Sequence, residues 1–459
     1  MPKRFFAVIA AVLTGITAAV QCAVPEKATA LTFTPNSVVQ SNSAVLYNID
    51  VDTIVYEKNA DMKEMPASLA QIMTAVVVLE NCQDISGDTV TATTDMFAPF
   101  VEYEYQSDLR YAEISAGDTL SVEDLLYAMM LTSSCEASIM LATHFGSGTE
   151  SGFVDKMNAK AEELGMTNTR FTNATGLYSA RQVSTARDMM TLLKYAMTVP
   201  RFESISCASS YTPSRAAGLN KSDKWNWKHS NTMSVTGSDY YCNGVRGIKT
   251  GNLQEAGRSI ACKASRDGNN YLLVCMNAPL TDADGKSHFY HLEDAKTIVN
   301  WAFTHLTYET VVTENALLDE VPVANAVGDD FVILKPKNGY SCIWCDTADL
   351  SSIQKIQTLD SKVVKAPVKA GDKLGTLTLK LSGETLTEID LIASSSVERS
   401  FWKYNAAEIP GFFRSKYLRR SWIIALILSL IYIGICIYSA VRFRMERKKR
   451  PQRPRAPRQ

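Results

Sequence analysis

Three short runs of the chain hold residue types able to carry out acyl-transfer chemistry. The first is Met65-Pro66-Ala67-Ser68-Leu69-Ala70-Gln71-Ile72-Met73-Thr74. Pro66 fixes the approach, and Ile72, Met73, Val76, Val77 and Leu79 then repeat with helical spacing, which predicts Ser68 at a helix N-terminus. Backbone N–H groups and the positive end of the helix dipole point toward such a position. That suits a nucleophilic hydroxyl facing developing negative charge. A serine that merely caps a helix occupies the same place. The second run is Ser133-Ser134-Cys135, in the break between the helical patterns Val122 to Met130 and Glu136 to Phe145. The third is Gly247-Ile248-Lys249-Thr250-Gly251, placed ahead of two apolar-rich strands, Arg258 to Ser265 and Asn270 to Asn277.

In order and type these runs resemble the active-site motifs of the D-alanyl-D-alanine carboxypeptidases, the low-molecular-weight penicillin-binding proteins. That family carries Ser-x-x-Lys, Ser-x-Asn and Lys-Thr-Gly. The stretch Met166-x-x-Thr169-x-Phe171-x-Asn173-x-x-Gly176-Leu177 and the pair Asn231-Thr232 are similar to further landmarks of the family. The resemblance implies a serine peptidase of the β-lactamase/transpeptidase-like fold. In it Ser68 attacks the penultimate D-alanine carbonyl of a peptidoglycan stem peptide, the terminal D-alanine leaves, and water releases the acyl group. It also implies that Ser133 relays protons, that Lys249, Thr250 and Gly251 receive the terminal carboxylate, and that β-lactams are candidate ligands. No metal or organic cofactor is implied, and no nucleic acid.

Two motif positions depart from the family pattern: Gln71 stands where the lysine is expected and Cys135 where the asparagine is. A glutamine amide cannot take a proton at any useful pH, so Gln71 can orient Ser68 but not deprotonate it. Losing a positioned base costs about 10²- to 10⁴-fold in rate. A thiol in place of an amide leaves a buried substrate amide unpaired, at roughly 1–3 kcal/mol. Lys249 and Glu136 are the substitute bases to consider. Carboxylate recognition needs no base, so binding can outlive hydrolysis. Two readings follow: a weak carboxypeptidase, or an inactive relative that binds stem peptides or wall enzymes as a sensor or scaffold.

The elements that must position these residues are legible along the chain. Ala44 to Lys58 reads as a hairpin turning at Asp50 to Asp52, and Phe153 to Leu164 as an amphipathic helix stopped by Gly165. The expected architecture is α/β (α+β), an antiparallel sheet flanked by helices, over residues 31–306. Short apolar runs separated by Gly, Asp and Asn turns over 307–395 read as a small all-β sandwich. Residues 396–420 then form an aromatic and basic stalk next to the membrane.

Both termini suggest an address. Met1-Pro2-Lys3-Arg4 and the apolar run behind it read as a signal peptide over 1–30. Ser421 to Val441 is uncharged and long enough to cross a bilayer core of about 30 Å. The tail 442–459 holds nine basic residues against one acidic, in a chain of net charge −1. By the positive-inside rule the tail is cytoplasmic and the domain carrying the motifs extracytoplasmic. Among the ten cysteines, Cys342-Ile343-Trp344-Cys345 has redox-motif spacing but lacks a βαβ setting, so a local bridge or two free thiols is expected. His288 and His291 have no acidic residue between them, and ordinary surface or core histidines are expected.

Overall fold

A computed structural model describes residues 31–215, 221 and 223–448. The signal-type segment 1–30 and the chain beyond Lys448 lie outside the described residues. Two compact units are present: the described residues up to Val311 together with Ser341–Ile353, and Val312–Tyr340 with the chain from Gln354 onward.

The first unit is built on a five-stranded antiparallel sheet. Strands β1 (Ser43–Asn48) and β2 (Thr53–Lys58) form the N-terminal hairpin. Its turn is held by the Asn48 side chain, which accepts from the amides of Asp50 (2.9 Å) and Val51 (3.1 Å). Strands β3 (Val245–Leu253), β4 (Gly257–Arg266) and β5 (Asn269–Ala278) complete the sheet in the order β2-β1-β5-β4-β3. The lysine motif lies inside β3, an edge strand, rather than ahead of a hairpin. Its run of Gly, Lys, Thr and Asn lacks apolar alternation, and pairing with β4 is what makes it a strand.

Helices cover both faces. On one lies α1 (Ala70–Asn81), with α2 (Thr94–Val101), α3 (Val122–Thr132), α4 (Cys135–Phe145), α5 (Glu150–Glu163) and α6 (Ala186–Ala196) around it. On the other lies α7 (Tyr290–His305), whose Ile298, Val299 and Trp301 pack on Leu46, Ile260, Leu273 and Cys275. The helix α1 is buried on all sides: Ile72, Met73, Val76, Val77 and Val78 are each at most 2% exposed. At roughly 1.5–3 kcal/mol per buried aliphatic side chain, these five contribute on the order of 10 kcal/mol. The serine turn at its N-terminus therefore stands on a fixed base. Side-chain caps set the neighbouring helix starts. Ser121 and Asp124 form a capping box on α3, Ser134 accepts from the Ala137 amide on α4 (3.0 Å), and Thr185 accepts from Asp188 on α6 (3.0 Å).

In the second unit β6 (Glu320–Ala324), β7 (Phe331–Pro336), β8 (Gln354–Leu359), β9 (Val364–Lys365), β10 (Lys373–Leu381) and β11 (Glu384–Ala393) form one sheet, ordered β8-β10-β11-β7-β6-β9. Two helices follow, α8 (Phe401–Arg414) and α9 (Lys416–Lys448). Within α9, Lys416–Arg447 is the one helix among the described residues long and apolar enough to cross a membrane.

All nine described cysteines are free thiols. Cys342 and Cys345 share the strand Tyr340–Cys345, three positions apart and so on opposite faces.

Candidate active site

Ser68 sits in the single 3-10 turn Ala67–Leu69 that leads into α1 and is half-buried. Ala67 has φ +50, a left-handed conformation that a non-glycine residue holds only when its surroundings impose it. Two glycines impose it. A Cβ on Gly176 would stand 2.3 Å from the Ala67 carbonyl oxygen and 2.8 Å from the Ser68 Cα, and one on Gly251 would stand 3.0 Å from the Ala67 Cβ and 3.3 Å from the Ser68 nitrogen. Strand β3 and the segment around Gly176 thus clamp the turn from two sides. The Ser68 amide belongs to the first turn, where no intrahelical carbonyl is available to it, and so it is free to face a developing oxyanion. Among the described residues no side chain hydrogen-bonds the Ser68 hydroxyl.

Ser133 ends α3 in the left-handed region, φ +63, its amide donating to Met129 O (3.0 Å). That sharp exit turns its hydroxyl toward β3. The Lys249 ammonium donates to Ser133 Oγ and to Thr250 O, the latter at 3.1 Å. Lys249 is completely buried, and no carboxylate neutralises it among the described residues. Burial therefore pushes its pKa down to about 7; the Cys135 thiol opposes this shift and the charge of Arg110 adds to it. Near neutral pH a large share of Lys249 is free amine, able to take a proton from a hydroxyl it already touches.

The neighbouring residue Thr250 shares a hydrogen bond with Ser230 Oγ (2.6 Å). Ser230 is held by the residues on either side of it. The Asn231 side chain donates to Gly247 O (2.5 Å), and the Asn231 amide donates to His229 Nδ1 (2.9 Å). With Nδ1 accepting, His229 Nε2 donates to Ser206 O (3.0 Å), which defines a neutral imidazole. Burial first, and the charge of Lys249 second, hold its pKa down at about 4.

The two altered positions are not equivalent. Gln71 is completely buried, and its Nε2 donates to Ser138 Oγ (2.9 Å) and to Ser133 O (3.3 Å). Its Oε1 has no partner. The amide therefore braces the α3–α4 break and contributes nothing basic to Ser68. Cys135 starts α4, its amide donating to Arg110 O (2.8 Å) and its side chain packed with Ala67, Leu109, Ile139, Leu177 and Leu253. Burial pushes that thiol up to about 11, so it is an apolar wall at neutral pH. Glu136, the other candidate base, faces away. Its carboxylate accepts from Ser134 Oγ (2.6 Å) and from the amides of Ala112 (2.9 Å) and Ile114 (3.3 Å), so it fixes the preceding loop.

A cleft of ≈ 500 Å³ opens beside Thr250 and Gly251, walled by Ser230, Arg110, Arg258 and His291. Sequence reasoning missed these walls. Arg258 lies at the start of β4 and donates to Leu280 O (2.9 Å), His288 O and Ser287 Oγ (2.9 Å), its guanidinium 4.3 Å above the Phe289 ring. His291 is buried, and its Nδ1 has no partner. Burial, with the Arg258 charge behind it, drives its pKa down to about 3. The i, i+3 spacing of His288 and His291 was visible. Their environments were not, since His288 pairs with Glu293 (3.0 Å) and His291 turns into the cleft. Among the described residues no group of His, Cys, Asp and Glu is arranged to hold a metal ion.

The site therefore combines an unpartnered serine hydroxyl at a helix N-terminus, a lysine–serine pair, and a polar cleft beside an edge strand. Comparison with known proteins leads to the same place. Residues 29–280 match a family model described as D-alanyl-D-alanine carboxypeptidase, and residues 307–399 one described as penicillin-binding protein 5, C-terminal domain. The D-alanyl-D-alanine carboxypeptidase DacF of Bacillus subtilis is 27% identical over 365 residues, 79% of this chain and 87% of the relative. The fold is similar to the crystal structure of the D-alanyl-D-alanine carboxypeptidase DacD from Francisella tularensis, with TM-score 0.57 and 21% identity over 80% of this chain and 96% of that one. It is also similar to penicillin binding protein 5 from Haemophilus influenzae, with TM-score 0.54 and 22% identity over 80% and 100%. With the first model spanning more than half of its length, the chain belongs to the D-alanyl-D-alanine carboxypeptidase family, the low-molecular-weight penicillin-binding proteins.

Proposed function

We propose that the protein is a membrane-anchored carboxypeptidase of slow turnover that acts on the D-Ala-D-Ala end of peptidoglycan stem peptides, with Lys249 serving, through Ser133, as the base that Gln71 cannot be. The family acts on such peptides and binds β-lactams. In this reading α9 anchors the chain, the catalytic unit is extracytoplasmic, and the basic tail is cytoplasmic.

The terminal carboxylate of the substrate is received at Thr250, Ser230 and Gly251. Ser68 Oγ attacks the penultimate carbonyl, and its proton passes to Ser133 while Ser133 gives its own to Lys249. The carbonyl oxygen takes up negative charge at the Ser68 amide. Collapse breaks the C–N bond, and D-alanine leaves with the proton that Lys249 returns. Water then cleaves the Ser68 ester by the same relay. The observation that carries this reading is the hydrogen bond from the completely buried Lys249 to Ser133. The relay is longer than a directly placed lysine, which is why turnover is expected to be slow.

One observation favours the binding-only reading. The Gln71 amide is engaged with Ser138 and Ser133, so no basic group adjoins Ser68 itself. Incubating the protein with a fluorescent penicillin, with peptide mapping of the adduct, separates the two. Under the carboxypeptidase reading Ser68 is labelled, and the rate rises with pH through about 7 as Lys249 loses its proton. Absence of label from folded protein at every pH leaves a stem-peptide binding protein.

A further inference from the structure

We propose that Glu150, the first residue of α5, is a positioning residue for the nucleophile: its carboxylate holds the loop 172–177 against the turn that carries Ser68. The proposal rests on the reading of Ser68 as the acylated residue and adds a remote group on which the geometry of that residue depends.

The loop is irregular and yet buried. Ala174 is completely buried, and Thr175 and Leu177 are buried beside it, in a stretch that is neither helix nor strand. Buried backbone groups outside regular structure need side-chain partners. Within the segment, Asn173 Oδ1 accepts from the Gly176 amide (2.8 Å), and Asn173 Nδ2 donates to Leu177 O (3.0 Å). Gln182 Nε2 reaches the same carbonyl (3.2 Å), while its Oε1 accepts from the Thr172 amide (3.0 Å). Those bonds set the loop's own shape. Its middle is held to the neighbouring helices through the two backbone groups of Ala174. Thr74, on α1 behind Ser68, donates to Ala174 O (2.8 Å), and Glu150 Oε1 accepts from the Ala174 amide (2.9 Å).

Just beyond Ala174, Gly176 packs on the Ala67 carbonyl and the Ser68 Cα, the contact that keeps Ala67 left-handed. A non-glycine residue stays in that conformation only while its surroundings over-determine it. Releasing the Ala174 amide lets Gly176 back away. Ala67 then relaxes toward the right-handed region, and the Ser68 hydroxyl turns off its line of attack.

The side chain at 150 fits this role. Its carboxylate is half-buried, meets no cation among the described residues, and has its hydrogen bond from the Ala174 amide. Burial pushes its pKa up, and that bond opposes the shift. A desolvated acid without a counter-ion is costly, and here the Ala174 amide and the N-terminal end of α5 offset the cost. A carboxylate also accepts from an amide more strongly than a neutral oxygen does.

The test uses the full-length chain in detergent micelles. It compares the natural protein with Glu150→Ala, Glu150→Gln and, as a control for lost stability, Ile298→Val in the core on the opposite face of the sheet. Acylation of Ser68 over a range of penicillin concentrations separates noncovalent affinity from the acylation step. In Glu150→Ala that step is expected to slow about 10- to 100-fold, with noncovalent affinity unchanged. Glu150→Gln keeps an acceptor for the Ala174 amide and is expected to recover the rate to within about threefold of the natural chain. Ile298→Val is expected to melt lower without slowing. Hydrogen exchange at the amides of Leu69 and Ala70, which bond to Pro66 O and Ala67 O, is read in parallel and needs no reaction. It is expected to be faster in Glu150→Ala than in Ile298→Val, and restored in Glu150→Gln. A Glu150→Ala variant that behaves as Ile298→Val does, or that glutamine does not rescue, overturns the proposal and leaves the carboxypeptidase reading intact. If the natural chain takes no label, that reading falls, and the exchange at Leu69 and Ala70 decides the proposal by itself.

Discussion

Gln71→Lys combined with Cys135→Asn tests the central chemical deficit of the site. An amine introduced at this position would inherit two acceptors already in place, Ser138 Oγ and Ser133 O, which receive the Gln71 Nε2 at 2.9 and 3.3 Å. The exchange would also remove the unpartnered Gln71 Oε1, a buried acceptor whose desolvation costs about 1–3 kcal/mol. Against this stands a second amine beside the completely buried Lys249. The two cannot both hold a proton cheaply, so one of them is neutral at pH 7, and a neutral amine is what a base must be. A base placed directly on Ser68 is worth about 10²- to 10⁴-fold, or about 2.7–5.5 kcal/mol of barrier. The assay is the second-order rate of acylation by a fluorescent penicillin, with Ser68 identified by mass and folding checked by circular dichroism. A gain of at least about 100-fold is expected. A folded double variant no faster than the natural chain would refute the argument that Gln71 is what limits the site. So would a natural chain that already acylates at the rate of the variant.

Two further expectations concern the scaffold. Gly176→Ala places a Cβ 2.3 Å from the Ala67 carbonyl at φ +79, so it should cost about 1–3 kcal/mol of stability and slow any acylation of Ser68. Thermal melting and penicillin labelling read the two effects, and an unchanged melt with unchanged labelling would contradict the clamp. The buried imidazoles His229 and His291 have folded-state pKa values of about 4 and about 3, below the ordinary value of 6.5. Their neutral burial is fully tolerated above pH 6.5. As pH falls the unfolded chain binds protons first, so stability is lost progressively from 6.5 toward 4 and then 3, about 3 kcal/mol for His229 and about 5 kcal/mol for His291. Urea midpoints at pH 7.5, 6 and 5 should decline in that order, and a flat profile would show that the imidazoles are not buried neutral.

Much of this architecture is local information and was therefore legible in the chain. The hairpin turn at Asp50 to Asp52, the helix pattern behind Ser68 and the break at Ser133 each depend on a few adjacent residues, and each lies where the sequence pattern places it. The reactive groups were legible as residue types in sequence order. What each of them does depends on partners far away in the chain, and that was not legible. Lys249 reads as a carboxylate anchor until its burial and its bond to Ser133 show a group that titrates near neutrality. Glu136 reads as a spare base until Ala112 and Ile114 prove to hold both its oxygens. Arg258 and His291 carry no motif at all, because the cleft they wall is formed only when the start of β4 is brought beside the start of α7.

The same separation bears on how such a site can change. In the proposed mechanism β3 and the residues around Ser230 receive the substrate carboxylate, and none of the hydrogen bonds there passes through Gln71 or Cys135. A substitution at position 71 can therefore slow proton transfer while leaving recognition of the substrate terminus as it was. Clamping of the Ser68 turn by Gly176 and Gly251 is likewise independent of the side chain at 71, so the Ser68 hydroxyl keeps its place whatever residue stands there. In the proposed mechanism binding and hydrolysis thus rest on different residues of one cleft, and the rate of acylation measures one without disturbing the other.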